Sequence, residues 1–248
     1  MGLTIHYALL LSGARTMDEV KVVVTRAREL VMKQGMQEVT PLIRVGPDFM
    51  LGLYSLPVHD EQGAEVGHVA VSPAEGWVFS VALGAGAERL LMGLCRYPSN
   101  LRHEGRTLPT HVGRGWRFQF FCKTQYAAVQ GWEHFLRSHR TAIELLLLWR
   151  ELGVQVRITD EGGYWPCFNA IKLRAKLAQM EGITAAVAGA LKDTAGADGR
   201  PLLTAASALG HLRFEQLEHE GMLRHGAQVR RAVRQIKALT PPPDKTGE

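Results

Sequence analysis

Between Arg117 and Thr159 the apolar residues change their period from two to about 3.6 and back to two, which reads as strand, helix, strand. In Arg117–Thr124, Phe118, Phe120 and Cys122 share one face, and Gln119, Phe121 and Lys123 share the other. Trp132–Leu152 then carries Trp132, Phe135, His139, Ile143, Leu146 and Leu147 on one helical stripe and stops at Gly153. Val154, Val156 and Ile158 alternate with Gln155, Arg157 and Thr159 in the second strand. Two strands joined through a helix are expected to run parallel with a right-handed crossover.

The rest of the chain is built around this unit. Thr4–Leu11 reads as a strand ending at Ser12-Gly13, and Thr16 three residues before Glu19 predicts a capping box. Val20, Val23, Val24, Ala27 and Leu30 or Val31 continue as an amphipathic helix closed by Gly35. From Glu38 to Leu83, short β-rich runs separated by Gly, Pro and Asp suggest antiparallel hairpins. Residues 84–117 predict a short helix near Glu88–Leu94 followed by a long irregular loop. A long helix is expected over Phe168–Asp193, with Ile171, Ala175, Ala178, Ile183, Val187 and Leu191 facing inward and a kink at Gly182 or Gly189. Helical segments follow around Leu203–Leu217 and Met222–Leu239. The fold class is therefore α+β (or α/β), a mixed sheet of about six to seven strands with helices packed on it and a helical C-terminus. Residues 1–195 form one domain, 196–239 a helical extension and 240–248 a disordered tail.

Composition limits the function classes. With 248 residues, 46% hydrophobic and 21% charged, the chain is globular rather than disordered. Cys95, Cys122 and Cys167 are odd in number and widely spaced, which suits a reducing compartment. The apolar run Ile5–Leu11 contains His6 and is too short to span a bilayer, and His6 stands where an acylation motif after Gly2 needs Ser or Thr. The expected location is the cytoplasm, with no membrane partner. A net charge of +5 suits an anionic partner and equally suits a merely soluble domain.

If the first strand ran parallel to the two later ones, their carboxyl ends would bring together Ser12–Arg15, Lys123–Tyr126 and Asp160–Tyr164. An enzyme reading gives Lys123, Tyr126, Asp160 and Glu161 catalytic roles, with Arg15, Gln125 and Tyr164 as ligand contacts. The blander reading, which the residues favour, makes Asp160-Glu161-Gly162-Gly163 an ordinary turn. No cofactor or metal site is expected. Gly84–Arg89 begins like a dinucleotide fingerprint but has Arg89 in place of the last small residue, and His134 and His139 are five apart, on different helix faces. His139, between Phe135 and Ile143, reads as a satisfied core histidine, and Cys122 as a buried thiol.

Charge points elsewhere. Arg89, Arg96, Arg102, Arg106, Arg114 and Arg117 face one acid, Glu104, with His103, Tyr97 and Trp116 interleaved. Arginines among aromatics suit phosphate contact and base stacking, so Arg96, Arg102, Arg106 and Arg114 are candidate ligand-binding residues. The last helix adds Arg224, Arg230, Arg231, Arg234 and Lys237. A solvated basic face or a docking surface for an acidic protein is the competing explanation. The leading expectation is a non-catalytic binding protein for an anionic ligand or nucleic acid. The alternatives are a hydrolase or phosphate-processing enzyme, and a structural subunit with a protein partner or a second copy of itself.

The strings GLCRYP at Gly93–Pro98, FCKTQYA at Phe121–Ala127, HFLRSH at His134–His139 and DEGGYW at Asp160–Trp165 resemble those of a group of bacterial hypothetical proteins. The resemblance covers Thr4 to Asp193, and the region after Gly196 departs from it. It implies a bacterial source and no particular activity.

Overall fold

A computed structural model describes residues 3–13, 15–49, 54–59, 62–112, 114–194 and 214–239. Among them the chain divides into two compact units, with the division falling between Asn169 and Ala170.

The first unit is an α+β domain. Its strands are β1 (Thr4–Leu11), β2 (Ile43–Val45), β3 (Ser55–His59), β4 (Glu65–Ala70), β5 (Glu75–Val81), β6 (Leu90–Arg96), β7 (Asn100–His103), β8 (Arg106–Pro109), β9 (Trp116–Lys123) and β10 (Gln155–Asp160). Six of them form one sheet in the order β10-β1-β9-β6-β5-β2, while β3–β4 and β7–β8 are separate hairpins. Every ladder among the described strands is antiparallel, which excludes the parallel-sheet alternative for them. β9 and β10 do run in the same direction, as a helical connection requires, but β1 lies between them and opposes both.

Two helices, α1 (Met17–Lys33) and α2 (Trp132–Leu147), cover one face. The capping box forms: Thr16 N–H donates to Glu19 Oε2 at 2.7 Å and Glu19 N–H to Thr16 Oγ1 at 3.2 Å. Val20, Val24, Ala27 and Val31 of α1 are buried, as are Phe135, Ala142, Ile143 and Leu146 of α2. They meet the inward residues of the sheet, among them Ile5, Tyr7, Leu9 and Phe118, which are all but sealed from solvent. Trp149, just past α2, stacks on Phe79 of β5 and donates its indole N–H to Met92 Sδ at 3.3 Å. Aromatic groups of this size dominate the burial that offsets chain entropy.

The stretch expected to be a helix near Glu88–Leu94 is instead β6, a central strand. Leu90, Met92, Gly93, Leu94 and Cys95 are buried on both faces. Such a strand is apolar without alternation, so its period cannot be told from that of a short buried helix. Gly84–Arg89 is simply the link between β5 and β6, not the opening of a phosphate-binding helix. The following segment is also ordered: β7 and β8 are joined by Glu104 (φ 47°) and Gly105 (φ 76°), the two left-handed residues of a tight hairpin turn.

The second unit holds α3 (Ala170–Lys192) and α4 (Phe214–Leu239), which pack on one another. In α3 the buried side is Leu173, Leu177, Ile183, Ala185, Ala186, Ala188 and Leu191, while Ile171 is 84% exposed. The expected inward register fails at its first three positions, Ile171, Ala175 and Ala178, all exposed, because the apolar residues of this first half of α3 are scattered among Lys172, Arg174 and Lys176 and mark no unique stripe. Its glycines are contact points. A Cβ at Gly221 would collide with the Gly182 carbonyl, and one at Gly189 with the Glu218 carboxylate. The segment 203–213 of the expected helix and the 240–248 tail lie outside the described residues.

Candidate functional site

The order β10-β1-β9 decides which ends meet. Because β1 opposes its neighbours, its start, not its end, lies beside the ends of β9 and β10. Thr4 pairs with Lys123, and Ile5 lies between Cys122 and Asp160. Arg15 follows Leu11, which pairs with Trp116 at the far end of β9. Seven residues of strand separate the two ends, about 23 Å. Arg15 instead lies 3.8 Å from Glu19, and its carbonyl accepts the Trp116 indole N–H at 3.0 Å. The expected convergence of Arg15 with Lys123 and Asp160 does not occur.

Lys123 and Asp160 are two strand spacings apart, about 10 Å, but on opposite faces of the sheet. Asp160 shares the inner face with Ile5 and Cys122. Its side chain is fully buried, and Oδ1 lies 3.2 Å from Nε2 of the equally buried His139, within ion-pair range though out of line for a hydrogen bond. The other imidazole nitrogen, Nδ1, is 2.7 Å from the buried Thr124 hydroxyl. The Asp160 carboxylate also accepts three backbone N–H groups, from Gly162 at 2.7 Å, Tyr164 at 2.7 Å and Trp165 at 3.0 Å. Burial pushes this carboxyl up, but His139 and the backbone donors from Trp165 and Gly162 outweigh it and hold Asp160 below its usual value. Phe135 and the edge-on ring of Tyr164 close over the imidazole.

Hydroxyl, imidazole and carboxylate are the groups of a nucleophilic triad, yet here no reactant can reach them. Thr124 and His139 have no exposed surface. The arrangement is a polar pin: α2 is tied through His139 to the end of β9 and to the turn after β10. The Thr124 hydroxyl, His139 Nδ1 and the Asp160 carboxylate each gain a hydrogen-bond partner, as burial demands, while His139 Nε2 has only the ion-pair-range contact with Asp160. His139 is therefore a core histidine, as expected, but hydrogen-bonded through Nδ1 alone, and Asp160 is committed to structure rather than exposed as a base.

The remaining expected site residues are dispersed. Gln125 is buried and its Oε1 accepts the Leu3 N–H at 2.8 Å. Tyr164 is buried against His139, whereas Tyr126 is 52% exposed. Glu161, next to Asp160, points the other way: it accepts the Thr4 N–H at 3.0 Å and lies 3.3 Å from His6 Nε2, about half exposed. The Lys123 ammonium rests 5.4 Å from the Phe121 ring. Glu88, which the sequence does not single out, accepts the Lys123 N–H at 2.9 Å and holds the end of β9. Cys122 donates to the Glu88 carbonyl, and burial pushes its thiol up to about 12, the opposite of a nucleophile's shift.

The arginines of 89–117 do not form one stripe. Arg89 is held by Glu38 at 3.1 Å and by Ser80 at 3.0 Å. Arg96 pairs with Glu75 and lies over Trp116. Arg117 donates to the carbonyl of exposed Arg114 at 2.9 Å. Arg102 pairs across the hairpin with Thr107, and Arg106 with His103, so the two guanidinium groups leave opposite faces of β7–β8, both exposed.

A continuous basic face does exist on α4. Arg224, Arg230, Arg231 and Arg234 are exposed, and at 3.6 residues per turn they fall within an arc of about 120°. Gly221 and Val229 are buried on the other side of the helix. From Gly221 to Leu239 there is no Asp or Glu; the nearest carboxylate, Glu220, lies 3.9 Å from Arg224.

Among the described residues, no three His, Cys, Asp or Glu side chains gather as a metal site would require, and no helix is long and apolar enough to cross a membrane. No protein-family model, curated protein or solved structure matches the chain.

Proposed function

We propose that this is a non-catalytic binding protein of the bacterial cytoplasm that recognises an anionic partner, nucleic acid in the first instance. The observation that carries the reading is the arginine face of α4, four exposed guanidinium groups on one arc with no acid beyond Glu220. Guanidinium groups in a row meet phosphates by charge-assisted, often bidentate hydrogen bonds. Arg102, Arg106 and Arg114 are further exposed cations. The free, buried thiols Cys95 and Cys122 suit a reducing compartment.

The test is titration of fluorescent single- and double-stranded oligonucleotides at two salt concentrations. Binding should weaken steeply with salt, and replacing all four α4 arginines by Ala should lower the salt slope by about one for each phosphate no longer neutralised. Absence of binding to either oligonucleotide at low salt would end the nucleic-acid reading.

A further inference from the structure

Independently of α4, we infer that the cleft between the end of α1, the end of β5 and the first turns of α2 is a binding site for a small organic anion with a carboxylate or phosphate head. The cleft has a volume of about 380 Å³ and is lined by 35–38, 82–84, His134, Arg137 and Ser138. That size falls in the range of small-molecule sites, which combine apolar walls with a few placed polar groups.

The polar groups are arranged unequally. Ser138 Oγ is spent on the Leu83 carbonyl at 2.9 Å. His134 Nε2 is 2.9 Å from the Ala85 carbonyl, which can only accept, so this nitrogen carries the proton and fixes the ring against the loop. The ring can approach because Gly84, at φ 121°, has no side chain: a Cβ there would meet His134 Cε1 at 2.8 Å. Glu38, the carboxylate of the lining, is neutralised by Arg89, whose guanidinium also bonds the Glu38 carbonyl and Ser80. Arg137 is different. It is exposed, and among the described residues it has no ion-pair partner within 4.0 Å; on its own helix Glu144 is taken by Arg140 at 2.8 Å, and Glu133, one turn before Arg137, stays outside that range. The cleft thus carries one uncompensated cation at its wall, beside the exposed Gln37 amide. An anion entering it gains a charge-assisted contact with Arg137 while the pre-tied His134 and Ser138 shape the floor.

The experiment is an amide chemical-shift titration of the isotope-labelled full chain with inorganic phosphate and, separately, succinate, against matched sodium chloride. Saturable shifts with either probe, centred on Gly84, Ala85, Arg137 and Ser138, are expected, and the probe that saturates first identifies the head group. Arg137→Ala and Arg137→Gln should each weaken that binding roughly tenfold or more, from loss of a charge-assisted bond. The fourfold α4 arginine variant should leave it unchanged. Non-saturating shifts with both probes, undiminished binding in both Arg137 variants, or loss of binding in the α4 variant would each overturn the site. Because the residues that line the cleft are all intact in the α4 variant, failure here and failure of nucleic-acid binding are separable.

Discussion

Asp160 and Glu161 are adjacent carboxylates with opposite fates. Asp160 turns inward, is sealed from solvent, and is held by His139 and three backbone N–H groups. Glu161 turns outward, about half exposed, and meets His6 and the Thr4 N–H. One residue of strand alternation separates a structural pin from a surface contact. The lesson is that a pair of acids beside tyrosines and a lysine is not a catalytic cluster until their faces are known.

The contrast rests most heavily on His139. His139→Ala leaves the buried Asp160 carboxylate without its imidazole partner and opens a cavity beside it, and a loss of about 3–5 kcal/mol in urea unfolding is expected. A loss under about 1 kcal/mol would mean that water enters and Asp160 is not sealed. Thr124→Val removes one partner of the imidazole but keeps the volume, so about 1–3 kcal/mol is expected, and a double-mutant cycle with His139→Ala should show strong non-additivity. Glu161→Gln, by contrast, should change stability by no more than about 1 kcal/mol, as exposed pairs do.

Acid probes the same difference. Asp160 has a folded value below its unfolded value of about 4, so its ionised form contributes stability above that pH, and the contribution is lost as pH falls through the lower folded value. Unfolding free energy measured between pH 5 and pH 2 should decline more steeply for the parent chain than for Asp160→Asn. Equal slopes would show that His139 and the backbone donors do not favour the charged carboxylate. The smallest stability effect belongs to the α4 arginines: their combined replacement by Ala should shift thermal unfolding little, while weakening oligonucleotide binding and lowering its salt slope.

The two units also differ in how legible they are. In the first, the alternation of Phe118, Phe120 and Cys122, the helical stripe through His139, and the Thr16–Glu19 capping box are local patterns, and each appears as expected. β6 escapes such a reading because a strand buried on both faces has no alternation to display. In the second, α3 is rich in Ala and apolar on several sides, so its sequence leaves the buried register open; contact with α4 at Gly182 and Gly189 chooses it.

For the site, the order of amino acids alone supplies the residue types, the strand–helix–strand succession and the placement of His139 on an apolar stripe. That β1 enters between β9 and β10 and opposes both is settled by the assembly of the sheet. Hydrophobic period reports which face a residue takes, not which way its strand runs or what pairs with it, because those depend on partners more than a hundred residues away. That one pairing moves Arg15 to the far edge, brings the start of β1 to Glu161, and leaves Asp160 to His139.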